Sequence, residues 1–136
     1  MALIGGGGAP NVAGSNPAGV GSSINYVGTL CYAYSGDVNV AASLGNPTTM
    51  LEFETGSELI RGNITWGSDT VGGNDTRVNV SLNSERIFIC RYASGEAESN
   101  DQPLNVIIPP FTKVLITIGA EGAVTATVTF TGEIHD

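Results

Sequence analysis

From Ser22 onward, apolar and polar residues alternate with a period of two, the pattern of strands that bury one face and wet the other. The alternation is cleanest near the C-terminus, where Val124, Ala126, Val128, Phe130 and Ile134 oppose Thr125, Thr127, Thr129, Thr131 and Glu133. Upstream it predicts a first strand with Ile24, Tyr26, Leu30, Tyr32 and Tyr34 on one face, then a short piece around Val38 and Val40. After the turn Gly45-Asn46-Pro47, a strand from Met50 to Glu54 sets Leu51 and Phe53 against Glu52 and Glu54. Leu59 to Gly67 sets Ile60, Ile64 and Trp66 against Arg61, Asn63 and Thr65. Val78, Val80 and Leu82 alternate with Arg77, Asn79 and Ser81, and Asn83-Ser84 turns the chain into Ile87, Phe88, Ile89 and Cys90. That last run is apolar on both faces and predicts a central strand. Leu104 to Ile108 must stop at Pro109-Pro110, because proline donates no N–H and restricts its predecessor. Val114, Ile116 and Ile118 then resume the alternation up to a turn at Glu121-Gly122.

Eight or nine strands at this spacing, with no helical periodicity, predict an all-β fold: an antiparallel β-sandwich, in the form of a jelly roll of about eight strands. Cys31, Trp66 and Cys90 stand in the order of an immunoglobulin domain. Trp66 is too far from Cys31, however, and no tyrosine precedes Cys90 by two residues. The sandwich occupies residues 22–136. Residues 1–21 form an irregular arm of different character, with Gly5, Gly6, Gly7, Gly8, Gly14, Gly19 and Gly21 beside Pro10 and Pro17, and the first charge in the chain is Asp37. Such a segment has high chain entropy and little to bury, so it is expected to be mobile in an isolated monomer and to be ordered by a neighbouring subunit or partner.

Charge narrows the partners. Five Lys and Arg against thirteen Asp and Glu give a formal charge of −8, so nucleic-acid phosphates repel the chain. No stretch is apolar enough to span a membrane, and the N-terminus lacks the basic region of a secretory signal; a soluble protein made in a cytoplasm is expected. In that compartment Cys31 and Cys90 are expected to stay reduced, and the sequons at Asn63, Asn74 and Asn79 read as ordinary strand and turn sequence.

Catalytic chemistry finds little purchase. The single histidine, His135, is next to last, and neither a nucleophile elbow nor a phosphate loop is present. No catalytic residue, cofactor or metal ligand set is assigned. Glu52 and Glu54 share a strand face as a glycosidase pair would, and Asp69, Asp75, Glu96, Glu98 and Asp101 gather in two loops, but wet strand faces and solvated turns explain both. Tyr26, Tyr32 and Tyr34, with Tyr92 and Trp66, pose the question of sugar stacking; alternate aromatics are expected instead to fill a core or a subunit interface.

The glycine-rich start, Thr49-Met-Leu-Glu-Phe-Glu-Thr-Gly-Ser57, Leu104-Asn-Val-Ile-Ile-Pro-Pro-Phe-Thr-Lys-Val114 and Thr127-Val-Thr-Phe-Thr-Gly-Glu-Ile-His135 together resemble the small jelly-roll structural proteins of viruses, particularly the cement or decoration proteins of tailed-phage capsids. The resemblance implies a non-enzymatic virion protein on the capsid surface, a homo-oligomer, a trimer by that analogy, bound to the major capsid protein between capsomers. The arm would lie in a groove of its partner through backbone hydrogen bonds along Gly5, Gly6, Gly7 and Gly8 and apolar contacts from Ile4, Val12 and Val20. The alternative is a carbohydrate- or receptor-binding module of a viral fibre, reading its ligand with the loops Gly67 to Asp75 and Ser94 to Gln102.

Overall fold

A computed structural model describes residues 24–68, 75–92 and 103–135. Among the described residues ten strands are present: β1 (Asn25–Val27), β2 (Leu30–Tyr34), β3 (Val38–Val40), β4 (Thr48–Glu54), β5 (Leu59–Ser68), β6 (Thr76–Leu82), β7 (Glu85–Tyr92), β8 (Leu104–Ile108), β9 (Lys113–Ala120) and β10 (Val124–His135). They form two antiparallel sheets. One has the order β1-β2-β10-β5-β8, with β3 also paired to β10; the other has the order β4-β9-β6-β7.

The pairs β2–β10, β4–β9, β5–β8 and β6–β7 are those of one long hairpin of strands folded back at the β6–β7 turn. Rolling that hairpin up brings β10 against β5 and β9 against β6. This is the jelly-roll arrangement, two four-strand layers made by a single winding, to which β1 and β3 are additions. Between the layers, Phe53 meets Phe130 at 5.3 Å and Trp66 meets Phe88 at 5.6 Å, ring centre to ring centre. Met50, Ile60, Ile64, Val80, Ile116 and Val128 complete a core with no solvent access.

Two breaks raise the strand number from the eight or nine expected. Gly28, at φ 62, lets Val27 and Leu30 face each other across a two-residue turn, so the predicted first strand is the hairpin β1–β2. A bulge then separates β2 from β3, because Tyr34 opposes Thr129 and Val38 opposes Ala126, leaving three residues against two. Gly36 takes φ 66 there, and Ser35 repairs the ladder: its N–H donates to the Val128 carbonyl at 3.0 Å, and its Oγ accepts the Val128 N–H at 2.8 Å.

Three local expectations are corrected. Ile24 and Tyr26 pack against the core, but Leu30, Tyr32 and Tyr34, expected on the same face, point away from it and Cys31 and Ala33 point in, because the Gly28-Thr29 turn sets Tyr26 opposite Cys31. Met50, placed outward by strict alternation, is buried beside Leu51, because the β4–β9 register shifts between Thr49 and Leu51. The Ile87–Cys90 run forms an edge strand, β7, rather than a central one.

Candidate functional site

The residues expected to bind a partner through the arm, Ile4, Gly5, Gly6, Gly7, Gly8, Val12 and Val20, lie outside the described residues. So do most of the two acidic loops, including Asp69, Glu96, Glu98 and Asp101. Of these acids only Asp75 is described, and its carbonyl accepts the Glu121 N–H at 2.8 Å, tying the start of β6 to the β9–β10 turn.

Glu52 and Glu54 do share the outer face of β4. They are not left as a carboxylate pair: Lys113 Nζ lies 2.8 Å from Glu52 Oε2, and Glu54 stands opposite Lys113 in register. The hydrogen bond and charge of Glu52 push the Lys113 ammonium pKa up, although both groups are well exposed and salt screens the pair. His135, on the last turn of β10, has Nε2 3.6 Å from Glu133 Oε1 on the same face. Among the described residues, no three His, Cys, Asp or Glu side chains gather as a metal site would require.

Both cysteines are free thiols on different sheets, Cys31 on β2 and Cys90 on β7. Burial pushes the Cys31 thiol from an ordinary value of 9.0 up to about 11. The same burial raises the neighbouring Tyr26, with the Cys31 and Glu58 charges adding to it. Neither group has the lowered pKa of an activated nucleophile.

What the surface does present is apolar. Phe111, held at φ 54 in the β8–β9 turn, is 71% exposed. Its turn is rigid: the Phe111 N–H donates to the Gly56 carbonyl at 2.8 Å, and the Thr112 N–H donates to Thr55 Oγ1, which donates in turn to the Pro109 carbonyl, each at 2.9 Å. On β7, Phe88 and Cys90 face inward while Ile87 and Ile89 stand outward, 48% and 50% exposed. The Val80–Ser81 register shift makes Ile87 the extra residue of a bulge, so Arg86 and Ile87 follow each other on the edge; Arg86 reaches Asn79 Oδ1 at 3.5 Å. Among the described residues no strand lies beyond β7, and its outer N–H and C=O groups have no ladder partner. Sequence reasoning named these isoleucines and placed them in a central strand; the hydrophobicity was visible, but the strand order that sets this run at an edge was not.

Compared with known proteins, the sequence matches no family model and no curated protein. No helix among the described residues is long and apolar enough to cross a membrane.

Proposed function

We propose that the chain is a non-enzymatic structural protein of a virion, a capsid cement or decoration protein that binds the major capsid protein on the shell surface and reinforces it through its sandwich and its N-terminal arm. The observation that carries this reading is the β7 edge, a strand with one side unpaired among the described residues and with the outward Ile87 and Ile89. Natural sheets blunt such edges with charge, bulges, proline or a covering segment, because an open apolar edge pairs with other chains; β7 carries Arg86 and the Ile87 bulge near its start, and the stretch from Phe88 to Cys90 has neither charge nor bulge. One that is kept open serves as a docking strand, giving affinity through main-chain hydrogen bonds and specificity through alternate side chains.

Two further features support it. The rigid turn that holds Phe111 in solvent presents a fixed apolar knob of the kind that anchors interfaces. The uncharged arm, residues 1–21, adds a second attachment point, and repetition over a homo-oligomer, a trimer in this reading, and over the lattice multiplies modest contacts into firm binding. Binding to shells assembled from the major capsid protein of the same virus, read by cosedimentation, tests it. Deletion of residues 2–21 is expected to abolish cosedimentation while leaving the far-ultraviolet spectrum and thermal transition intact. Undiminished cosedimentation of the truncated chain contradicts the role of the arm.

A further inference from the structure

The outer face of the six-stranded sheet, turned away from the core, carries a shallow groove of about 720 Å³. Its floor is the register row Gly132, Gly62 and Val106 on β10, β5 and β8. The glycines are required there by the core beneath: a Cβ on Gly62 would stand 2.5 Å from the Phe130 ring. One wall is the next row, in which Leu30, Glu133, Arg61 and Ile107 face one another in turn across four strands. The other wall is the row Thr131, Asn63 and Asn105, continued by Tyr32, whose ring lies 5.0 Å from that of Tyr34. At ordinary strand spacing the groove spans about 14 Å across four strands, with about 7 Å between its walls.

The chemistry of this lining selects its occupant. Floor N–H and C=O groups of β10 and β5 are engaged in ladders on both sides, so a peptide could pair as a strand only along the outer edge of β8, at one end of the groove and not across its floor. Arg61 faces Glu133 in register, so the groove offers no net positive charge to a phosphate or sulfate. Asn63 and Asn105, opposite each other, make no side-chain hydrogen bond among the described residues, and both are exposed. Two amides on one wall face a guanidinium and a carboxylate on the other, donors and acceptors suited to vicinal hydroxyls, while Leu30 and Ile107, with the Tyr32–Tyr34 pair at the rim, offer apolar surface to C–H faces.

We propose that this groove binds a neutral oligosaccharide, giving the particle a glycan-adhesive face separate from the β7 edge. The site differs from the loops that sequence reasoning would choose, and it does not depend on capsid attachment.

The test uses the full chain, labelled with ¹⁵N, titrated with cellohexaose, chitohexaose and mannohexaose, and with a heparin hexasaccharide as the anionic comparison. At least one neutral probe is expected to shift the backbone amides of Gly62, Gly132 and Asn105 and the side-chain amides of Asn63 and Asn105. The N63A/N105A double variant is expected to bind that probe about tenfold more weakly with an unchanged melting temperature, since both side chains are exposed. Absence of groove shifts with every neutral probe, shifts confined to other surfaces, binding of heparin alone, or undiminished binding by the double variant each overturns the proposal. A chain that binds glycan and fails to bind shells refutes the assembly reading and leaves this one standing.

Discussion

Ser35 shows how one side chain can hold a sheet together. The bulge before β3 removes a backbone acceptor from the central strand, and Ser35 Oγ replaces it for the buried Val128 N–H. S35A leaves that donor unpaired and is expected to cost about 1–3 kcal/mol, read as a lower denaturation midpoint with unchanged slope. Gly62 works by absence. G62A places a methyl group against Phe130 and 2.8 Å from the Thr131 carbonyl, and backbone cannot swing aside as a flexible side chain does; a loss of about 1–3 kcal/mol is expected. Thr76 is the reverse case, a buried hydroxyl without a hydrogen-bond partner among the described residues. T76V keeps its shape and is expected to raise stability by about 1 kcal/mol in the same denaturation assay.

At the scale of elements, legibility in the sequence followed how local each cause is. The β6–β7 turn was readable because Asn83-Ser84 lies between two apolar runs, and the structure holds both residues at positive φ, 50 and 70. Ser84 is the less suited of the two, so S84G is expected to stabilise the hairpin by about 0.5–1 kcal/mol, checked by thermal melting. The long alternation of β10 was equally plain, and all its inner residues from Val124 to Phe130 are buried. A single glycine in an otherwise regular run gave little sign of the Gly28-Thr29 turn, and alternation counted through it put Tyr26 on one face with Tyr32 and Tyr34, whereas Tyr26 stands opposite Cys31 on the core side. Strand order was not legible at all, since rolling the hairpin decides it. An apolar run such as Ile87 to Cys90 therefore reads the same at an edge as in the middle. The groove was hidden for the same reason: its walls come from β2, β5, β8 and β10, remote in sequence and joined only by register.

On the scale of the whole molecule, a jelly roll built on one shared core couples its stability to the groups that core desolvates. Cys31 is neutral in the fold up to about pH 11, while in the unfolded chain it ionises near 9.0. Its raised pKa contributes stability that is complete below the unfolded value and lost as pH rises between the two. The loss is at most about 2–3 kcal/mol, and Tyr26, shifted in the same direction, adds to it. Denaturation midpoints are therefore expected to fall from pH 8 to pH 11, and C31A is expected to flatten part of that fall. The rigid body so formed does not by itself define a function; in the proposed reading, the β7 edge and the arm are what relate it to other proteins. The most direct measurement is cosedimentation of the I87S/I89S double variant with shells of the major capsid protein, beside the unaltered chain. Both residues are half exposed, so folding stability is expected to stay within about 0.5 kcal/mol. The account predicts that the unaltered chain pellets with the shells and that the variant, equally folded, stays in the supernatant; equal pelleting of the two, or failure of the unaltered chain to bind at all, would contradict it.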